Sequence, residues 1–333
     1  MTGVGGAPGF DLARTLTARG HHVIALDCDP LASGLLLPHV AARVAPRASE
    51  TNYASWLLEL CRQLRPDALL SAVESELPTL RALAQTLGTL GVRTWLPPES
   101  AMHASLDKLR FHTVLTGHSV PTPPTWLPDQ IDQIPDGREL VVKPRRGQGS
   151  RDVMFCRTRE QARILCEVIE DPLVQQRLCG QEFTADCLVD RGGRASVILR
   201  RRLLTKGGLA HVASTFHDDR AADTVTSALA AVDAEGLCCV QGFLPSDPGG
   251  QVVLTEMNAR IAGAFPLAEA AGADLVGQTL AGLWGRPIRH DLLEYKDEVF
   301  LTKYVETLAV GSQPDHTAQP AWATVAPVAI EGA

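Results

Sequence analysis

Through the first hundred residues the apolar positions switch between two periods. Phe10, Leu12, Ala13 and Leu16 repeat at helical spacing up to Gly20, and the run Val23-Ile24-Ala25-Leu26 then predicts a strand ending at Asp27. A Leu-rich helix is predicted over about 51–64, a strand over 68–73, a helix over 77–87 and a strand over 91–96. Strands alternating with helices predict a mostly parallel sheet of the α/β class. The glycine turn Gly3–Gly9 has no apolar strand before it, so the first strand of that sheet is expected to be missing or to lie upstream.

Beyond residue 97 the pattern changes. Two helical pieces are predicted within 100–117, the second capped by Asp107, and Pro121, Pro123 and Pro124 put the first domain boundary within 97–125. A strand over 139–144 ends in Lys143-Pro144 and returns as Val153-Met154-Phe155, with Arg145–Arg151 as the loop of a hairpin. Thr158 and Gln161 predict a capping box for a helix running to Ile169. Runs over 173–178, 182–189 and 195–199 predict an antiparallel α+β region, with Arg200-Arg201-Arg202 as a solvated strand end. A last hairpin joins 240–243 to 252–260.

Composition narrows the class. A chain of 333 residues, 45% of them apolar, can bury two or three cores. A net charge of −7 with 5 Trp, 3 Tyr and 8 Phe argues against a nucleic-acid surface. No apolar run approaches the roughly 20 residues of a membrane-crossing helix, and the opening residues lack the pattern of a signal peptide. The eight cysteines form no CxxC pair, and Cys61, Cys156, Cys166, Cys187 and Cys238 read as small core residues. A reducing, cytoplasmic setting is expected.

Candidate chemistry lies in three places. G-x-G-x-x-G spacing from Gly3 puts Pro8 at the third glycine, which favours a structural turn, or one wall of an acceptor-substrate site, over dinucleotide binding. The loop 145–151 is either an ordinary hairpin turn or a phosphate cover, whose backbone N–H groups and arginines converge on anionic oxygens. Glu256 and Asn258, two apart, share a strand face with Arg260 close behind and Gln241 across the hairpin. That is either a routine exposed hairpin or a hard-cation site that keeps waters and binds through phosphates.

Taken together, TGVGGAPG, DKLRFHTVLTGHSVPTPPT, LVVKPRRGQGS, VQQRLCGQEFTAD and VVLTEMNARIAGAFPLAEAAGADL resemble the ATP-grasp superfamily, nearest its carboxylate–amine ligase and carbamoyl-phosphate-synthase-like branches. The resemblance implies an N-terminal Rossmann-like pre-ATP-grasp domain (1–99), a central lid subdomain with linker (100–180) and a C-terminal antiparallel-sheet lobe with the metal site (181–333). It implies that Lys108 and Lys143 meet nucleotide phosphates and that Gly147, Gln148, Gly149, Ser150 and Arg151 cover them. The backbone of Gln175, Gln176, Arg177 and Leu178 would hold adenine, and Glu182 would lie near the ribose. Gln241, Glu256 and Asn258 would be magnesium ligands, with Arg260 and Arg202 beside the reacting phosphoryl group. The implied cofactors are ATP and two Mg2+ ions.

The implied activity is ATP-dependent ligation of a small-molecule carboxylate to an amine, with an amino acid or peptide as substrate. Bicarbonate or carbamate phosphorylation and non-catalytic nucleotide binding stay open. No nucleic-acid or membrane partner is expected, and a homodimer is implied on family grounds. His211 and His217 are candidate acceptor-site residues. No Ser-His-Asp or Cys-His arrangement is needed, because activation sits on the substrate.

Overall fold

A computed structural model describes residues 1–147, 149, 151–247 and 249–307, and the chain divides into compact units built on Met1–Thr94 and Trp95–Tyr304. In the first unit, helix α1 (Ala7–Ala18) leads into β1 (Val23–Asp27), which pairs in parallel with β2 (Val40–Val44). Helices α2 (Tyr53–Leu64) and α3 (Leu77–Thr89) complete the predicted alternation. The strand expected to be missing has a counterpart. Thr2 makes parallel bridges to Leu26 and Ser71, the Leu26 N–H donates to Met1 O at 2.9 Å, and the Thr2 N–H donates to Leu70 O at 3.0 Å. The runs predicted as strands over 68–73 and 91–96 form isolated bridges instead. A ladder needs consecutive partners, and here the contacts stay single, Ser71 with Thr2 on one side and Ala68 with Arg93 on the other.

The glycine turn is a packing device. A Cβ on Gly9 would stand 2.0 Å from Gly3 O, and one on Gly34 would stand 2.2 Å from Val4 O, so backbones meet where side chains cannot fit. The Asp27 carboxylate accepts from the N–H groups of Gly5 (2.7 Å) and Asp29 (3.0 Å). The acid therefore holds its own turn, as the structural reading of this segment expects.

The second unit opens with α4 (Glu99–Leu106) and α5 (Lys108–Gly117). A small antiparallel sheet follows, in the order β3 (Thr125–Trp126), β6 (Pro172–Gln176), β4 (Leu140–Pro144), β5 (Met154–Cys156). Helix α6 (Arg159–Val168) covers it, burying Ala162 against Leu140, Val142 and Val174. Cys166, read as core, is half-buried at the rim of this cluster.

The larger sheet takes β7 (Gln181–Val189), β8 (Ala195–Lys206), β9 (Leu209–Thr215), β10 (Gly236–Leu244), β11 (Val253–Asn258) and β12 (Phe300–Thr302), ordered β11-β10-β7-β8-β9-β12. Helices α7 (Asp219–Ala231), α8 (Pro266–Ala270) and α9 (Leu275–Leu283) pack against it, as do α4 and α5 against β11. The sequence thus holds a parallel α/β part and an antiparallel α+β part.

One strand runs further than predicted. β8 continues through Arg200–Arg202 because these residues find partners instead of solvent. Arg200 donates Nε to Asp186 Oδ2 at 2.8 Å and Nη2 to Oδ1 at 3.1 Å, with both side chains under 4% exposed. Removing one partner of such a pair leaves an uncompensated buried charge. Asp186→Ala is therefore expected to lower the unfolding free energy by about 3–5 kcal/mol, and Asp186→Leu with Arg200→Met by much less. Urea unfolding checks both.

Candidate active site

The site is assembled at the N-terminus of α5. Asp107 lies in extended conformation before the helix, and its Oδ1 accepts from the N–H groups of Leu109 (3.0 Å) and Arg110 (3.2 Å), the capping role predicted for it. The same carboxylate takes a two-pronged bond from Arg145, Nε at 2.8 Å and Nη2 at 2.7 Å. Burial pushes the Asp107 carboxyl up, but the bonds from Arg145 and the Arg110 N–H outweigh it and hold the pKa below its ordinary value. Arg146 reaches Asp171 at 2.8 Å and Asp107 at 3.4 Å.

The first two arginines of the loop are thus bound to carboxylates of the protein itself. They anchor its base. Asp107→Asn keeps a capping oxygen and discards the charge, whereas Asp107→Ala discards both. The expected losses are about 1 and about 2 kcal/mol in chemical denaturation.

Anchoring aims the next residues. The Lys108 N–H donates to Arg145 O at 3.1 Å and its Nζ to Gly147 O at 2.8 Å. Gly147 has φ +136° and Gly149 φ +73°, backbone conformations that glycine alone adopts readily. Gln148 and Ser150, expected in the phosphate cover, lie outside the described residues; Arg151 is exposed. Lys108 and Gly147 line a small cleft whose far wall is Glu256, Met257 and Asn258, with Ala104, Ser105 and Phe111 closing the side. Ser105 and Phe111 are lining residues that the sequence did not single out.

On the larger sheet, β10 and β11 pair so that Gln241 stands opposite Glu256, with a bulge after Gln241. Asn258 follows on the face of Glu256, 6% exposed, and its Nδ2 points to Glu256 Oε1 at 3.5 Å. Arg260 braces the set, Nη2 donating to Asn258 Oδ1 at 3.0 Å and Nη1 to Ile261 O at 2.9 Å. The predicted trio and its arginine therefore share one surface. Its donors are one carboxylate and two amide oxygens, hard ligands suited to Mg2+ that retains water and phosphate oxygens. Among the described residues no group of three His, Cys, Asp or Glu side chains could hold a metal.

Lys143 projects from β4 into the field of this surface. Burial lowers its pKa to about 8, with Glu256 and Glu182 pulling upward and Lys108 pushing down. These four groups, drawn from a lid strand, a helix N-terminus and two strands of the larger sheet, act on one another. The Glu182 carboxyl is pushed up by burial, opposed by Arg202, raised by Glu256 and lowered by Lys143.

Arg202 is 9% exposed and heavily engaged. Nη1 donates to Gln241 Oε1 at 2.7 Å and lies 3.0 Å from Glu182 Oε1, while Nη2 donates to Gly208 O at 2.6 Å. Its Nε–H has no acceptor among the described residues.

The segment expected to hold adenine divides. Gln175 is buried, its side chain donating to Thr125 Oγ1 at 2.8 Å within the lid sheet. The N–H groups of Gln176 and Arg177 donate to Pro124 O (3.0 Å) and Glu139 O (2.9 Å), and the Arg177 side chain pairs with Glu139 and lies over the Phe155 ring. Both of these amides are committed to bonds that tie the segment to its neighbours. His217 stacks on Tyr295 at 4.4 Å and is exposed, whereas His211, on β9, accepts from the Lys303 N–H through its carbonyl.

Comparison with known proteins finds likenesses in sequence family and in fold. A family model described as ATP-grasp in the biosynthetic pathway with Ter operon matches residues 168–307, and one described as PylC-like, N-terminal domain, matches residues 11–95. No curated protein matches the chain. The fold is similar to that of biotin carboxylase from Campylobacter jejuni, at 15% identity over 85% of this chain and 70% of that one, TM-score 0.69. It is also similar to L-amino acid ligase from Bacillus licheniformis, at 18% identity over 86% and 72%, TM-score 0.65. N5-carboxyaminoimidazole ribonucleotide synthetase from Thermus thermophilus gives 19% identity over 86% and 78%, TM-score 0.65.

Proposed function

We propose that the chain is a member of the ATP-grasp superfamily, as its family-model match and its fold support, and that it carries out ATP-dependent activation of a small carboxylate as an acyl phosphate, followed by its coupling to an amine, with an amino acid or peptide among the substrates. The observation that carries this reading is the cleft in which Lys108 and Gly147 face Glu256 and Asn258, with Lys143 near enough for Glu256, Lys108 and Glu182 to bear on its charge. Two ammonium groups facing a carboxylate–amide surface suit a metal-bound triphosphate.

A carboxylate is a poor electrophile because attack would add charge to an anion. Its oxygen attacks the terminal phosphorus of ATP, the bond to the bridging oxygen breaks, and ADP leaves with that electron pair. Lys143 and Lys108 meet the charge that moves onto the phosphates, and Arg260 lies beside the transferring group. The amine nitrogen then attacks the acyl carbon, its proton is lost to solvent, and phosphate departs with the oxygen that came from the carboxylate. Glu256 and Asn258 would hold Mg2+, which when bound screens phosphate charge. The anchored loop over Lys108 limits water at the intermediate.

A titration follows from Lys143. Its ammonium, not its amine, attracts phosphate, and in the free protein half of it is lost near pH 8. Glu256, Glu182 and Lys108 are the charged groups facing it. Affinity for MgADP is expected to fall as pH rises above 8, approaching tenfold per unit, and Lys143→Arg is expected to flatten the curve. Calorimetric titration from pH 7 to 10 checks both.

The function itself is tested by incubating the protein with MgATP and pooled amino acids and reading ADP and product mass together. ADP formed without dependence on any carboxylate or amine contradicts the reading. Likeness to a biotin carboxylase favours a second reading, in which bicarbonate is the carboxylate. A requirement of ADP release for bicarbonate separates the two.

A further inference from the structure

We infer that Asp107 and Arg145 form a strut that holds Lys108 and Lys143 at a set spacing, which makes them positioning residues for the phosphates of ATP. The inference rests on the ATP reading and concerns what keeps its two phosphate lysines in place.

The two lysines stand on separate elements, Lys108 in the first turn of α5 and Lys143 on β4 of the lid sheet. Asp107 directly precedes the one, and Arg145 follows the other by two residues. A bond between Asp107 and Arg145 therefore joins the lysine-bearing segments almost at the lysines themselves. It is two-pronged, with Nε at 2.8 Å and Nη2 at 2.7 Å, a geometry that fixes orientation as well as distance. The Lys108 N–H donates to Arg145 O at 3.1 Å, so the same segments are tied a second time through the backbone. Two links between the same short stretches remove the rotation that either one alone would leave.

The strut is held at both ends. Asp107 is buried and fixed to α5 by the N–H groups of Leu109 and Arg110. Arg145 is fixed to the next strand of the lid, its N–H donating to Asp171 O at 2.8 Å directly before β6. Arg146 adds a bond to the Asp171 carboxylate at 2.8 Å. A helix cap alone needs one acceptor oxygen, which a neutral Asn supplies. Here Oδ1 serves the cap, whereas Oδ2 accepts from guanidinium groups, Arg145 at 2.7 Å and Arg146 at 3.4 Å. The carboxylate therefore does more than start a helix. Two cations that meet neighbouring phosphates lose affinity when their separation varies, because the ligand must then impose the order itself.

The test reads binding rather than turnover. Displacement of a fluorescent ADP analogue gives the affinities for MgADP and adenosine in wild type, Asp107→Asn, Arg145→Gln and the double variant. Each protein is first checked for an intact melting transition. Either single variant is expected to weaken MgADP binding by roughly 10–100-fold, the range for losing a charge-assisted bond. The double variant is expected to lose no more than either single one, because both remove the same link. Adenosine carries no phosphate for the lysines and is expected to compete equally in all four. Folded variants with wild-type affinity for MgADP overturn the inference and leave the ATP reading standing. Losses that multiply in the double variant also overturn it, since the two residues then act separately. So does an equal loss for adenosine, which marks general damage to the fold. Absence of MgADP binding in wild type overturns both readings. Arg145→Lys, which keeps the charge and one prong, is expected to fall between, and it replaces a neutral variant that does not melt cooperatively. The MgADP cycle decides even where adenosine binds too weakly to compete.

Discussion

Replacing Lys143 by methionine is expected to lower ADP formation by roughly 10²–10³-fold, the range seen when one preorganised donor to developing charge is removed, while making the protein more stable. The two effects have one cause. The ammonium is held where burial disfavours its charge, and its folded-state pKa of about 8 lies below the unfolded value of 10.5. A lysine lowered in this way destabilises the fold while both states are protonated, and the penalty fades as pH rises from about 8 through 10.5. At pH 7 that penalty is at most about 3 kcal/mol. Lys143→Met should recover part of it, with the gain over wild type shrinking toward pH 10. Activity measured beside thermal unfolding at pH 7 and pH 10 tests the pair. Ordinary turnover in the variant removes the phosphate role, and a large loss of stability removes the electrostatic account.

Glu256→Gln carries the second large effect. The substitution keeps size and hydrogen-bonding capacity and removes the carboxylate of the set formed with Gln241 and Asn258. A neutral amide in its place leaves three amide oxygens for a divalent ion, and such a set holds Mg2+ weakly. ADP formation is expected to fall by roughly 100-fold or more, with its midpoint in a Mg2+ titration moved to higher concentration. An unchanged titration curve contradicts the ligand role. Lys143 should respond as well, because Glu256 is the charge that most supports its ammonium. In Glu256→Gln the loss of MgADP affinity with rising pH is therefore expected to begin below pH 8.

The parts of this site legible in the sequence are those fixed by neighbours along the chain. Period-two spacing puts Glu256 and Asn258 on one face, and the turn between two β-runs brings Gln241 opposite, as the register has it. An acid directly before Lys108 announces the cap of α5. What is not legible depends on long-range pairing. Asp107 and Arg145 meet across 38 positions, and nothing local to either segment says that the arginines after Pro144 anchor the loop in place of reaching ligand. Arg202 reaches Gln241 across 39 positions, through the intervening β7. The triple-arginine run resembles a solvated end because its buried partner, Asp186, sits on another strand. The helical pattern within 100–117 specifies two helices, but not that both pack on β11 and so bring Lys108 to the face of Glu256 and Asn258. Thr2, too short a segment to carry any period, takes the strand position that the sequence leaves empty.

Trapping the activated carboxyl tests the central claim most directly. Hydroxylamine supplied as a general nucleophile, with MgATP and the carboxylate found active in the pooled assay, should yield a hydroxamate in amounts equal to ADP and phosphate. Hydroxamate formed with AMP and pyrophosphate, or ADP released with no hydroxamate, would contradict it.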